Sequence, residues 1–132
     1  MAPPLKRILL VDDDPDIQLV TGMALESVGG FSIRACSSGR EALEAAPGFA
    51  PDLLLLDVMM PEMDGPATLQ ALRAIPALAR TPAVFLTAKV QPGEIAQYRK
   101  LGVAEVIPKP FDPMTLSETV RRIWEQIHAG EA

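Results

Sequence analysis

The 132-residue chain has one cysteine, one histidine, one tryptophan and one tyrosine, and aromatic residues make up only 5% of it. With a single thiol, Cys36, no disulfide can form within the chain, which argues for a reducing compartment. Cys36 lies in the short apolar stretch that starts at Phe31, where a buried, inert thiol is expected. The lone His128 sits near the C-terminus and is not expected to carry a phosphoryl group or a metal. Cations are also scarce: 12 Lys and Arg stand against 17 Asp and Glu, a net charge of -5. Phosphate binding needs a basic patch, so nucleic acid is not an expected partner, and the acidity serves mainly solubility. Long apolar runs are missing too. Only four apolar residues follow Lys6 and Arg7 before Asp12, too few for a signal peptide, and no later run approaches membrane-spanning length. A cytoplasmic protein without membrane contact is expected. Without repeats, linkers or low-complexity segments, the chain reads as one domain over residues 1–132, with a core over about 6–128 and no output domain after it.

What the chain does have is aliphatic: apolar residues reach 48%. Five short apolar runs predict strands over 7–11, 31–36, 52–57, 83–87 and 105–107. Several lack strict alternation, as strands covered on both faces of a parallel sheet do. Between them run segments of helical period. Pro15 to Val28 carries a stripe of Ile17, Val20, Ala24, Leu25 and Val28, with Asp14 as N-cap and Gly29-Gly30 as terminator. Weaker helices are expected over 39–46, 66–75 and 93–101, and a strong one is capped by Asp112, started by Pro113 and carried by Leu116, Val120, Ile123 and Ile127. Trp124, Phe111 and a partly buried Tyr98 are expected to cover the core. Alternation of this kind predicts an α/β, doubly wound sandwich with right-handed crossovers.

Chemistry gathers where the runs stop. Ile8-Leu9-Leu10-Val11 ends on Asp12-Asp13-Asp14, and Leu53-Leu54-Leu55-Leu56 ends on Asp57, followed by the turn Met60-Pro61-Glu62-Met63-Asp64-Gly65. Ligands in such folds bind beyond the carboxyl ends of strands. Crowded carboxylates repel one another unless a hard cation neutralises them. An aspartate beside that cation is already ionised at neutral pH and can accept a phosphoryl group without a general base. Each carboxylate about 4 Å from the incoming anion costs roughly 4 kcal/mol at an effective dielectric of 20, so phosphorylation here requires a divalent ion. Mg²⁺ suits an all-oxygen site, with Mn²⁺ as the alternative ion. Lys109 offers a second positive charge and Thr87 a hydroxyl donor. Asp14 reads as a helix cap and Asp64-Gly65 as turn chemistry.

With Asp12-Asp13 after strand one, Asp57 after strand three, Thr87 after strand four and Lys109-Pro110-Phe111 after strand five, the chain resembles the receiver domain of two-component response regulators along essentially its whole length. The resemblance implies a flavodoxin-like (βα)5 fold with a five-stranded parallel sheet in the order 2-1-3-4-5. It implies Asp57 as phosphoacceptor, with Asp13 and Asp57 binding the metal directly. Asp12 would act through metal-bound water, and the Met59 carbonyl would supply a further ligand. Thr87 would reorient toward the new phosphate, and Lys109-Pro110 is a candidate cis peptide. The partners implied are a histidine kinase or histidine phosphotransfer protein, and a downstream protein that meets the face of helix four, strand five and helix five. The module would be a signalling switch that catalyses its own phosphorylation and dephosphorylation rather than a turnover enzyme.

Three positions depart from the family pattern or tune it. Val106 stands where the family commonly carries an aromatic whose rotation couples to the threonine, and a β-branched side chain cannot swing as a ring does. An altered response on the helix four, strand five, helix five face is the expectation. Met59 and Lys89 stand two residues beyond Asp57 and Thr87, at positions that the resemblance implies flank the path of the hydrolytic water and help set the lifetime of the phosphorylated state. Rival readings fit less well. A phosphatase of the haloacid dehalogenase type needs a second aspartate where Met59 stands. An FMN carrier needs a Ser, Thr and Gly-rich phosphate loop where Asp12-Asp13-Asp14-Pro15-Asp16 would repel phosphate. A degenerate receiver, used as a phosphorylation-independent binding module, remains the alternative.

Overall fold

The computed structural model describes residues 3–129. The expected domain span of 1–132 therefore takes in residues 1, 2 and 130–132, which lie outside the described residues. Strands β1 (Arg7–Val11), β2 (Ser32–Cys36), β3 (Leu53–Asp57), β4 (Ala83–Thr87) and β5 (Glu105–Pro108) form one sheet in the order β2-β1-β3-β4-β5, every pair parallel. Helices α1 (Pro15–Met23), α2 (Gly39–Phe49), α3 (Gly65–Arg73), α4 (Pro92–Lys100) and α5 (Leu116–His128) connect and cover it. This is the doubly wound, flavodoxin-like sandwich that the alternating pattern and the family resemblance predict. Among the described residues, no helix is long and apolar enough to cross a membrane.

Continuous apolar strands serve two cores at once, because successive side chains point to opposite faces. Leu9, Val11, Leu54, Leu56 and Phe85 join Ala42, Ala46, Leu69, Leu72 and Tyr98 on one face. Ile8, Leu10, Leu53, Leu55 and Val84 join Leu25, Leu116, Val120, Ile123 and Trp124 on the other. In the register Val11 pairs with Leu56, so the residues that follow them, Asp12 and Asp57, leave the sheet side by side. The strand order thus makes one pocket of two distant acidic segments, at the point where the winding direction reverses.

Several elements differ from expectation. The first helix is interrupted: α1 stops at Met23 and a π-helical turn covers Ala24–Val28. Thr21, Gly22, Ala24 and Leu25 face inward, whereas Val20 and Val28 are 45% and 50% exposed. A π turn rotates through a smaller angle per residue, so a stripe drawn at α spacing leaves the sheet before Val28. The turn packs tightly on α5, where a Cβ at Gly29 would lie 2.5 Å from Ser117 Oγ, and Ser117 Oγ donates to Ala24 O at 3.1 Å. Helix α2 continues past Ala46, through Pro47, to Phe49, whose contact with the core outweighs the one backbone bond that Pro47 forfeits. Asp112 and Pro113 do not start α5. Asp112 Oδ1 accepts from Met114 N at 2.9 Å and Asp112 O from Thr115 N at 3.2 Å, so the aspartate closes a local turn and the helix begins at Leu116. Tyr98 is buried, edge-on to Phe85 at 5.3 Å between centroids.

Gly22 offers a direct test of this account of α1. It sits inside the helix, yet a Cβ placed on it meets nothing within 4 Å. Gly22→Ala should therefore raise stability in urea denaturation by about 0.5–1 kcal/mol, the backbone entropy that glycine forfeits in a helix. A loss of stability would mean that the space beside Gly22 is closed.

Candidate functional site

Asp12 follows β1 directly, and its N–H still donates to Cys36 O at 3.0 Å, so the sheet grips its backbone. Its side chain is fully buried, with Oδ1 accepting from Asp14 N at 3.0 Å and Oδ2 from Lys109 Nζ at 2.9 Å. Asp57 is 5% exposed, and its Oδ1 accepts from the same ammonium at 3.1 Å. Asp13 is exposed at the mouth. One oxygen from each of the three carboxylates lies within 4.8 Å of the others.

Burial pushes the Asp57 carboxyl up to about 6, and the charge of Asp12 adds to that push, against the pull of Lys109. Burial depresses Lys109, but its bonds to Asp12 and Asp57 outweigh this and hold the ammonium above its ordinary value. One ammonium against three carboxylates leaves the pocket short of positive charge. Hard oxygen donors with one solvent-facing member fit a small divalent cation that keeps part of its water. Cys36, by contrast, is a buried thiol pushed up to about 11 by burial, protonated and inert.

The loops fix this geometry. Asp14 caps α1, with Oδ1 accepting from Asp16 N at 2.9 Å and Ile17 N at 3.2 Å. Asp64 caps α3 through Ala67 N at 2.9 Å, so its role is a helix cap as well as the turn read from the sequence. Gly65 has no alternative, since a Cβ there would lie 2.7 Å from Asp57 O and 2.9 Å from Val58 Cα. On the far side Lys109 N donates to Thr87 O at 2.9 Å, and the Lys109-Pro110 peptide is cis.

Thr87 stands apart from the carboxylates in one respect. Its buried hydroxyl accepts from Lys89 N at 3.0 Å, and no hydrogen bond links it to Asp57 among the described residues. Lys89 is exposed, and Met59 is 58% exposed. Val106 pairs in register with Phe85 and packs, half-buried, against the same core as Tyr98.

Two features escaped the sequence. Gln18 Nε2 reaches Asp12 O at 3.0 Å, Cys36 O at 3.1 Å and Ser37 Oγ at 3.1 Å. A glutamine on a short amphipathic helix carries no signal for such a contact. A mostly apolar cleft of about 360 Å³ also opens beside Lys109, lined by Ile17, Val20, Ala88, Phe111 and Pro113. Its wall is assembled from three separate segments and has no linear motif.

Comparison with known proteins agrees with this architecture. A family model described as the response regulator receiver domain matches residues 8–121. Response regulator Rre1 of Synechocystis sp. is 36% identical over 123 residues, 93% of this chain and 53% of the relative. Transcriptional regulatory protein CpxR of Escherichia coli is 36% identical over 127 residues, 96% of this chain and 53% of the relative. The chain thus spans about half the length of these curated relatives. Among solved structures, chemotaxis protein CheY4 of Vibrio cholerae superposes with a TM-score of 0.84 at 30% identity, covering 91% of this chain and 99% of that one. The strand order, the acidic pocket at its switch point and a family match over most of the sequence lead to one conclusion: the chain belongs to the response regulator receiver domain family.

Proposed function

We propose that the chain is a phosphoacceptor switch that takes a phosphoryl group onto Asp57 from a phosphohistidine of a histidine kinase or histidine phosphotransfer protein. The observation that carries this reading is the buried Asp57 carboxylate, held at 3.1 Å by Lys109 beside two further carboxylates at a strand-end switch point. In the transfer, the phosphorus–nitrogen bond of the donor breaks as an Asp57 oxygen bonds to phosphorus. Lys109 holds Oδ1 and so restrains the carboxylate before attack. Its ammonium then faces the added negative charge, and catalysis rests on positioning and charge compensation.

Asp13, Asp57 and the Met59 carbonyl are the residues we assign to bind Mg²⁺ or Mn²⁺ directly, with Asp12 acting through water. Bound there, the divalent ion supplies the positive charge that three carboxylates and a phosphoryl group require. The apolar cleft beside Lys109, with exposed Leu19, Met23 and Met114 on α1 and the loop before α5, suits the helical surface of a phosphodonor.

The signal would leave through Thr87. Turning its hydroxyl toward a phosphoryl oxygen releases the Lys89 N–H and frees the loop that leads into α4, where Tyr98 is the one buried residue. Val106 cannot rotate as an aromatic does. On phosphorylation, amide chemical-shift changes over α4, β5 and α5 should therefore be smaller than those in the loop after Asp57. Equal changes in the two regions would refute the role given to Val106. Output through protein contacts on that face, or onward relay, fits a chain of net charge -5 better than direct nucleic-acid binding. We place the module in the cytoplasm and assign Met59 and Lys89 to the lifetime of the phosphorylated state.

Intact mass after incubation with acetyl phosphate and Mg²⁺ tests the central claim. One added phosphoryl group is expected in the wild type, none after chelation and none in Asp57→Asn. An unmodified, folded wild type would leave the binding-module reading in its place.

A further inference from the structure

We propose that Gln18 is a positioning residue that sets the direction of the exposed Asp13 carboxylate by clamping the peptide between Asp12 and Asp13. The inference rests on the reading of the acidic pocket as a cation and phosphoryl site. Its basis is a closed ring of bonds. Asp12 N donates to Cys36 O at 3.0 Å, and Gln18 Nε2 donates to that same carbonyl at 3.1 Å and to Asp12 O at 3.0 Å. A third acceptor, Ser37 Oγ, lies at 3.1 Å from the amide nitrogen. Two of these three neighbours are carbonyl oxygens, which cannot donate, so the amide must present its N–H₂ side to them.

This clamp falls where the chain loses other support. The β1 ladder ends at Val11, and Asp12 N is the last backbone donor tied to β2. The Asp12 side chain is fixed by Asp14 N and Lys109, whereas the exposed Asp13 carboxyl approaches the Asp57 carboxyl, a like charge, and no cation or backbone donor holds it among the described residues. Where Asp13 points therefore depends on the orientation of its own peptide plane. Gln18 grips that plane from within α1 and ties it to the end of β2. Metal sites lose affinity when the groups that orient their ligands are removed, typically by about 10- to 100-fold.

The test uses the whole chain in two arms. In the metal-free protein, hydrogen exchange at the Asp12 and Asp14 amides should accelerate by about tenfold in Gln18→Leu, while amides in the centre of β4 stay unchanged. Gln18→Met, which keeps an unbranched stem, replaces it if leucine disturbs α1. Direct titration with Mn²⁺, followed by electron paramagnetic resonance, should show affinity weakened by about tenfold in Gln18→Leu. Gln18→Glu separates positioning from charge. An added negative charge near the pocket would by itself tighten Mn²⁺, whereas loss of the clamp weakens it, and weakening is expected. Unchanged exchange at Asp12 and Asp14 overturns the clamp. Unchanged Mn²⁺ affinity in the leucine variant, or tighter binding in the glutamate variant, overturns its role in orienting Asp13. If the wild type itself binds no Mn²⁺, the cation-site reading and the Asp13 role fail together, while exchange still decides whether the clamp exists.

Discussion

Lys109→Met will destabilise the metal-free protein by about 3 kcal/mol near pH 7.5, the largest loss expected from a single change at the site. The ammonium lies 2.9 Å from Asp12 and 3.1 Å from Asp57, and the three side chains are 15%, 0% and 8% exposed. Methionine keeps an unbranched stem against the neighbouring cleft, so the difference reports the lost charge rather than lost packing. Removing one partner of a buried pair leaves the others desolvated and uncompensated, here two carboxylates that also repel each other. The pH dependence follows from the carboxylates. Lys109 is held above its ordinary 10.5, so its own contribution is present throughout the neutral range and fades only at higher pH. Without it, the pocket relieves its repulsion by taking up a proton, and the deficit should shrink as the pH falls toward about 5. Millimolar Mg²⁺ should shrink it too, by supplying the missing positive charge to the native state. Phosphorylation by acetyl phosphate should slow by about 100-fold, the scale of losing one charge-stabilising donor. Urea denaturation at two pH values, with and without Mg²⁺, decides the matter; equal stability of the two proteins without metal near pH 7.5 would refute the charge argument.

Much of this site was legible because its strands end abruptly. Four consecutive leucines that stop at Asp57, and Ile8 to Val11 stopping at Asp12, mark buried strands with polar ends whatever the fold. Periodicity does not contain the pairing of Val11 with Leu56 that sets those ends side by side. The strand order came from family resemblance, and the structure has that order. The errors have physical causes. Asp112-Pro113 satisfies the chemistry of an N-cap and of a local aspartate turn equally well, and only the packing of Leu116 and Ser117 decides where α5 begins. The stripe through Val28 assumes unbroken α geometry, which the π turn at Ala24–Val28 lacks, whereas Val20 lies before that turn and lines the apolar cleft beside Lys109. Gln18 was invisible for a different reason. Its acceptors are two backbone carbonyls and a hydroxyl from three separate positions, brought together by the β1 and β2 register. Backbone acceptors leave no residue-type signature, so sequence reading favours the acids of a site over the groups that aim them.

Asp57→Asn will act in the opposite direction to Lys109→Met, raising the stability of the metal-free protein by about 2 kcal/mol near pH 7.5 while abolishing phosphorylation. Asp57 is raised from 3.8 to about 6, chiefly by burial and then by the charge of Asp12, with Lys109 opposing both. The sign follows from proton uptake on folding. Below the unfolded value both states of the chain carry the proton and the native state bears no penalty. Between about 4 and about 6 the native state binds the proton and the unfolded state releases it, so stability falls as pH rises through this window. Above it the penalty is constant. Asparagine has the same shape and no charge, so the variant should lack this fall and match the wild type near pH 4. A wild type whose stability gained on the variant between pH 4 and 7 would reverse the sign and exclude a penalty at Asp57. Divalent metal should invert the ranking. The wild-type carboxylate gains a counter-ion that stabilises the native state in proportion to RT ln(1 + [Mg²⁺]/Kd), while the asparagine variant has lost a ligand and gains less. On the proposed reading, the charge that destabilises the metal-free pocket is the one that phosphoryl acceptance would require.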